Sequence, residues 1–304
     1  MAISRTQLVK ELEPGLNALF GLEYKRYENQ HAEIYTTESS DRAFEEEVML
    51  SGFANAQVKA EGQGISFDDA QETYTARYTH DTIALAFAIT EEAIEDNLYD
   101  RIASRYTKAL ARSMSNAKQV KAAAPLNNGL SSVATFKAGD TVSLFSTNHT
   151  TVSGTAVKNT LSTQADLNET SLEQALIDIA GMTDERGIRV ASRGMKMVIP
   201  SANQFNAERL MKSPGRTGTA DNDINAVASM GMVPQGYRVN NFLTDTDSWY
   251  IITDVPNGMK MFQRAALKTA MEGDFDTGNV RYKARERYSF GVSDYRGIFG
   301  VEGA

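Results

Sequence analysis

Between Thr90 and Ala124 apolar side chains return at every fourth position: Ile94, Leu98, Ile102, Tyr106, Leu110 and Met114, with Ala103, Ala109 and Ala117 beside them. That spacing predicts a helix with a single apolar stripe. Thr90 is a candidate N-cap and Glu91 and Glu92 fill the first turn. Arg101, Arg105, Lys108, Arg112, Lys118 and Lys121 follow, the order that the helix dipole favours. No Gly or Pro interrupts the run, so an unbroken helix from about Glu91 to Ala123 is predicted. Leu98, Ile102 and Leu110 are placed in the core, and Asp100 and Lys108 in water. Pro125 and Gly129 mark the stop. About 34 residues at 1.5 Å each span roughly 50 Å. Such a helix is long for a globular domain and fits one that lies across a sheet.

The segments before it are patterned differently. Leu8, Leu12, Leu16, Leu19 and Phe20 lie at helical spacing, with Pro14–Gly15 as a predicted break, so residues 1–50 read as one or two short helices in a polar tether. The tether reads as an arm that needs another surface to pack on. Residues 52–88 alternate, with Ile65 and Phe67 on one run and Tyr74, Ala76 and Tyr78 on another. This predicts a hairpin turning near Asp68–Asp69. A two-stranded hairpin is at best marginally stable alone, so it should lie on something.

After the helix, residues 130–165 are rich in Ser, Thr and Gly. Residues 171–182 read as an amphipathic helix, Met195–Ile199 as a strand, and 201–211 as a further helix. Ser213–Asp223 reads as a mobile loop. Strands are predicted at Tyr237–Val239, Trp249–Thr253, Met259–Phe262 and Val280–Val292. The fold class is α+β, with no internal repeat.

Composition narrows the chemistry. The chain of 304 residues has no cysteine, which removes disulfides, thiolate nucleophiles and Cys-based metal sites. Its longest apolar run, Ile83–Ile89, is far short of the roughly 20 residues of a membrane span, and its first twenty residues lack the apolar core of a signal peptide. The net charge of −8 sits in the first 88 residues, which hold 7 basic and 15 acidic side chains. An acidic surface repels phosphates and argues against a dedicated DNA-binding role. No nucleotide-binding glycine signature or nucleophile elbow is present. Gly62-Gln63-Gly64 lacks the third glycine and the following helix. His31, His80 and His149 read as surface or hydrogen-bonded residues. Asp245 with Asp247, and Asp274 with Asp276, read as polar turns rather than cation sites. No catalytic, cofactor-binding or metal-ligating residue is predicted.

One pattern stands out near the C-terminus. Arg281, Lys283, Arg285 and Arg287 alternate with Tyr282, Ala284, Glu286 and Tyr288. In a strand the four basic groups share one face over about 20 Å. That face is either a solvated surface, a docking stripe for an acidic partner, or a nucleic-acid groove disfavoured by the acidic net charge.

The order of elements, together with LFSTNHT at 144–150, MKMVIPSANQF at 195–205, DSWYIITD at 247–254 and YSFGVSDYRGIFG at 288–300, resembles the major capsid proteins of tailed bacteriophages, in the group of the Mu-like major head subunit. The resemblance covers most of the chain from about residue 50. It implies the Hong Kong 97-type capsid fold: an N-terminal arm at 1–51, an extended loop at 52–88, a peripheral domain with its spine helix at 89–149, an axial domain at 150–265 and a return to the peripheral domain at 266–304. It implies a self-assembling icosahedral shell around a phage genome, built in the host cytoplasm from hexamers and pentamers of this chain. A scaffolding protein (separate, unless the chain has already been cut), a portal and a decoration protein are implied partners. Packaged DNA would be met only non-specifically, and no membrane or cofactor is implied. In this family the extended loop lies over an adjacent subunit. Glu61, Asp68, Asp69 and Glu72 of the loop are therefore candidates to meet Arg281, Lys283, Arg285 and Arg287 of a neighbour. An encapsulin-type compartment shell and an α+β enzyme with an unrecognised site are the alternatives. Microscopy of the purified protein separates closed shells from a small enzyme, and a bound cargo separates the two kinds of shell.

Overall fold

The computed structural model describes residues 5–95, 99–130, 136–216, 223–274 and 277–304. Within those ranges, packing is described from residue 13 onward apart from 94–102. In chain order, helix α1 (Arg5–Arg26) leads to strand β1 (Thr36–Ser39) and to a hairpin of β2 (Phe44–Leu50) and β3 (Glu72–Thr79). Strand β4 (Asp81–Ile89), helix α2 (Glu91–Glu95) and helix α3 (Tyr99–Asn127) follow. After the short pair β5 (His149–Thr150) and β6 (Ala156–Val157) come α4 (Glu169–Ala180), β7 (Gly194–Ile199), α5 (Gln204–Lys212), α6 (Ala226–Met230), β8 (Tyr237–Val239) and β9 (Trp249–Thr253). Two long strands, β10 (Met259–Gly273) and β11 (Val280–Val292), precede the terminal β12 (Ile298–Val301). Strand β10 extends eleven residues past the predicted Met259–Phe262.

One four-stranded sheet has the order β1-β10-β11-β4, the other β12-β9-β7-β8. The first is called the peripheral sheet and the second the axial sheet, after the domains that the resemblance implies. The inner face of the peripheral sheet carries Tyr282 and Ala284, and α1 and α3 cover it through Leu16, Phe20, Leu110, Ala111 and Met114. The predicted break at Pro14–Gly15 does not occur, for α1 runs through Pro14. A proline inside a helix costs ~3 kcal/mol; here the burial of Leu16 and Phe20, and Asn17 Oδ1 accepting from Thr269 Oγ1 and Tyr282 Oη at 2.8 Å each, hold the following turns. The arm helix thus finds its surface within its own chain.

Helix α3 buries Ala103, Thr107, Leu110, Ala111 and Met114, and leaves Lys108 exposed. Tyr106, a member of the predicted ladder, is instead 53% exposed. Four residues advance 400° on an α-helix, so a strict four-residue ladder drifts about 40° per step and leaves the buried stripe. Residues 96–98 lie outside the described residues, and so do the side chains of Leu98, Asp100 and Ile102, so the continuity of α2 with α3 and those burial expectations are not addressed. The helix continues through Pro125 to Asn127. Leu126 is fully buried and its carbonyl accepts from Tyr250 Oη at 3.1 Å, while the Asn127 side chain bonds Phe242 O and Thr244 N. These bonds pin the helix end to the second sheet.

That second, axial sheet is the larger core. Met197, Val198, Ile199, Trp249, Ile251 and Ile298 to Val301 are buried in it, under Leu172, Leu176 and Ile179 of α4. Gly194 permits that contact, because a Cβ there would stand 2.9 Å from both Leu176 and Ile251. Asn159, itself buried, ties the sheet to its surroundings through Nδ2 bonds to Leu144 O and Tyr295 O and an Oδ1 bond from Ser146 N.

The hairpin differs from its prediction. Its strands are Phe44–Leu50 and Glu72–Thr79, and Asp81–Ile89 belongs to the peripheral sheet. No turn forms at Asp68–Asp69. The chain reverses at Glu61–Gly62, where Gly62 has φ +81°, a conformation that glycine alone adopts freely. Residues 53–71 are all exposed. The predicted mobile loop Ser213–Asp223 lies mostly outside the described residues, although Arg216 N bonds Asp223 O across its ends.

Candidate intersubunit contact site

Antiparallel partners share a sheet face, so register assigns sides. Tyr282, Ala284, Glu286 and Tyr288 face the helices and are buried. Arg281, Lys283 and Arg285 face the opposite side and are exposed, with Arg287 half-buried in the same row. Around them lie Ala84, Ala86 and Ala88 of β4 and Lys268, Ala270 and Glu272 of β10, which pair with this row in register, Glu272 opposite Arg281. The short alanine side chains leave the cations standing above a flat lane.

The four basic groups are not equivalent. Arg281 is already paired with Asp274 of the same chain. Arg287 Nε is buried without a hydrogen-bond partner. Its charge, with burial ahead of it as the larger cause, holds His80 below the usual imidazole range. Among the described residues, Lys283 and Arg285 make no ion pair. Arg285 stands directly opposite Lys268, also exposed and unpaired. Like charges directly across a ladder repel, so in the single chain this patch is electrostatically unsatisfied. Glu286 does not relieve it. Its carboxylate points to the helix face and takes Lys118 Nζ at 3.2 Å, with burial pushing its pKa up against that cation.

The acidic residues lie elsewhere. Glu61, Asp68, Asp69 and Glu72 are exposed along the hairpin's far end, and none contacts 281–287 of its own chain. Asp68 accepts Ala54 N at 2.6 Å, which holds its carboxyl below the usual range. Arg186 Nη2 donates to Asp69 O at 2.5 Å. Beside these acids, Val58 and Phe67 are 99% and 98% exposed, and Ile65 and Phe53 are also exposed, at 73% and 62%.

At its root the hairpin is held firmly, on the same face as the basic row. Tyr78 packs edge-on against Phe262 and its hydroxyl bonds Ser293 Oγ at 2.5 Å. Lys260, almost wholly buried, pairs with Glu38 at 3.1 Å and with Glu47; burial works against its charge, but the two carboxylates raise its pKa overall. His80 bonds Ser40 Oγ and Ser289 Oγ at 3.0 Å each. Sequence reading missed this root, although the run of Glu45, Glu46 and Glu47 beside a lone lysine two hundred residues on was its only signal.

The remaining candidate chemistry resolves into structure. All three histidines are buried and hydrogen-bonded; His149 Nδ1 bonds Asp140 at 2.6 Å and its ring stacks on Tyr295. Asp245 accepts Asp247 N in a polar turn. Asp274 meets Arg281 and Thr277, and Asp276 lies outside the described residues. Gly62 sits in an exposed turn without a following helix. Among the described residues no group of three or more His, Asp or Glu is arranged to hold a metal.

The fold matches solved shells. The capsid of Myoviridae phage XM1 superposes with a TM-score of 0.56 at 11% identity, covering 89% of each chain. A virus-like particle from Pyrococcus furiosus gives 0.55 at 9% identity, over 94% of this chain and 98% of that one. The procapsid of bacteriophage JBD30 gives 0.52 at 13% identity, over 99% and 77%. At these identities the likeness establishes the Hong Kong 97-type fold. No curated protein matches the sequence. A family model described as phage capsid protein matches residues 73–301, three-quarters of the chain and every strand of the two four-stranded sheets but β1, and the chain belongs to the phage capsid protein family.

Proposed function

We propose that this protein is the major shell subunit of a phage head, and that copies interlock by laying the acidic hairpin of one subunit on the outward basic row of the next. The observation that supports the interlock is a matched pair of unsatisfied surfaces in one chain. Lys283, Arg285 and Lys268 form a cationic patch with no ion pair among the described residues, and residues 53–72 carry four acids and exposed Phe53, Val58, Ile65 and Phe67. Arg281, already held by Asp274, contributes less than its place in the row implies. The hairpin leaves from the same face that bears the row, so it reaches a neighbour's row without crossing the shell.

In this reading the shell encloses the phage genome, forms in the host cytoplasm as hexamers and pentamers, and has no catalytic task. A scaffolding protein, a portal and a decoration protein are its proposed partners. Two observations test it. Negative-stain microscopy of the purified chain should show closed particles; a discrete monomer or dimer at all concentrations refutes the shell. In a structure of the assembled particle an acid of the hairpin end should stand within about 6 Å of a neighbour's Lys268, Lys283 or Arg285, the reach of a partly screened ion pair. Wider separation throughout refutes the interlock and leaves the shell intact.

A further inference from the structure

From Arg101 to Asn127 helix α3 contains six basic residues and no acidic one. This is the reverse of the chain's overall balance of −8. Two of the six are used internally: Lys118 holds Glu286, and Lys121 holds Asp81. The side chain of Arg101 lies outside the described residues. The other three, Arg105, Lys108 and Arg112, are exposed and form no ion pair among the described residues. At 100° per residue Arg105 and Arg112 point within about 20° of each other and Lys108 about 60° to one side, so the three share one face over roughly 10 Å. A groove of about 430 Å³ runs alongside, between the end of α1 and α3, lined by Tyr27, Lys108, Arg112, Ser113 and Asn116. Its carboxylate, Glu23, is already occupied by Arg26 at 3.5 Å and Tyr27 at 3.3 Å. The groove therefore offers cations and neutral polar groups, and its acid is engaged.

We propose that this face of α3 is a docking surface for the phosphate backbone of duplex DNA, the inner surface against which packaged genome lies. The inference rests on the shell reading. The peripheral sheet separates the two sides of the subunit: the hairpin and its receiving row occupy one, and α1 and α3 the other. If one side clasps neighbours, the other is free to face the contents. Charge selects the occupant. Duplex DNA carries one charge per about 1.7 Å of axis, so a 10 Å row of three cations meets about six phosphates. Contact is through charge alone, with no side chain arranged to read a base, as packing of any sequence requires.

The test uses the full chain and a random-sequence 30-base-pair duplex. In the variant Arg105→Gln/Lys108→Gln/Arg112→Gln, particles should still form by microscopy, because these exposed side chains make no ion pair among the described residues. Subunit affinity for the duplex should fall at least tenfold at low salt. The slope of log affinity against log salt should lose close to three, at about 0.9 per phosphate contact. A charge-keeping variant, Arg105→Lys/Arg112→Lys, should retain that slope. Lys283→Gln/Arg285→Gln, on the other face, should leave duplex binding unchanged. The proposal is overturned if the triple variant binds as tightly as the parent, or if the Lys283/Arg285 variant accounts for the loss. It is also overturned if an acidic polypeptide such as poly-glutamate, but not the duplex, loses affinity with the three residues; the surface then belongs to an acidic protein partner. Failure of the parent chain to form particles refutes the shell reading, and the duplex titration still decides the charge row on its own.

Discussion

In β12 of the axial sheet four consecutive residues, Ile298 to Val301, are all buried, whereas from Phe53 to Gln71 every residue is exposed. Both stretches contain isoleucine, phenylalanine and glycine. Location, rather than residue type, separates them. The axial strands meet α4 from one side and the end of α3 from the other, so each large side chain removes its whole surface from water. The hairpin end meets the rest of its chain through Arg186 at Asp69 O, while a side chain such as Phe67 stays 98% exposed and gains nothing from the fold of its own chain. In the proposed interlock a neighbouring subunit supplies the missing surface. The first region therefore sets the stability of the subunit, and on that proposal the second sets the stability of the contact between subunits.

The sharpest way to break that division is a pair of truncations. Trp249 is wholly buried and its indole N–H bonds Ala165 O at 3.1 Å. Trp249→Ala should cost about 3–5 kcal/mol of subunit stability in urea unfolding. Phe67→Ala should change it by less than about 0.5 kcal/mol while lowering particle yield. Equal losses in the two subunits would mean that the hairpin end is packed within its own chain.

Leu110 tests the layer between the two regions, where α3 crosses the peripheral sheet. It is 4% exposed and packs with Met114 of α3 and with Phe20 of α1. Leu110→Ala should cost about 2–5 kcal/mol, and it should loosen α1, seen as faster amide exchange over residues 16–26. Tyr106→Ala, one turn earlier on the exposed side, should cost far less, which distinguishes the observed stripe from a strict four-residue ladder.

Acid tests the seam where the arm joins α3. His31 is buried beside Lys118; its Nδ1 accepts from Gln119 Nε2 at 3.0 Å, and its backbone N–H donates to Gln119 Oε1. Burial first, and then the Lys118 charge, lower its pKa to about 4. The folded form therefore binds fewer protons than the unfolded chain between about pH 6.5 and 4. Stability should be full above about 6.5 and fall as pH drops toward 4, by up to about 3 kcal/mol. Urea unfolding across that window should show a slope that His31→Asn removes. An unchanged slope in His31→Asn would assign the acid sensitivity to other groups.

How much of this was legible follows from how each element uses its charges. The basic row at 281–287 was readable because β11 spends every second position on the buried face, so a period of two sorts the cations unaided. The stripe of α3 was readable as a helix, but its phase was misplaced by counting fours. Strand β2 was unreadable for a physical reason. In FEEEVML the inward positions are Glu45 and Glu47, whose partners are Ser40 and Lys260. A strand that turns carboxylates inward, onto partners placed by the fold, shows no alternation of apolar and polar. The neutralisation of Arg281 by Asp274 likewise depends on the bend between β10 and β11, which no local pattern encodes. Alpha-helical continuity through Pro14 was hidden because burial of Leu16 and Phe20, a tertiary effect, outweighs a local penalty.

The smallest effect per residue is the one that bears most directly on the interlock. Arg285→Glu/Lys283→Glu should leave subunit unfolding within about 0.5 kcal/mol of the parent, since neither side chain makes an ion pair among the described residues and Arg285 faces Lys268 across the ladder. Relief of that like-charge pair offsets any loss, which is the opposite of what a structural ion pair would show. Each contact with a neighbouring hairpin is worth only about 0–1 kcal/mol, but every subunit of a closed shell repeats it. Particle yield should therefore fall steeply while the free subunit is unaffected. Asp68→Lys/Asp69→Lys on the same chain should restore assembly in part, because reversed tips then meet reversed rows. Salt provides an independent measure: the Debye length shrinks from about 10 Å at 0.1 M to about 3 Å at 1 M, so parent particles should lose stability over that range and the doubly reversed particles should lose it likewise. Assembly of Arg285→Glu/Lys283→Glu at parental yield, with parental salt dependence, would place the adhesion between copies in the exposed Val58, Ile65 and Phe67 instead of in charge.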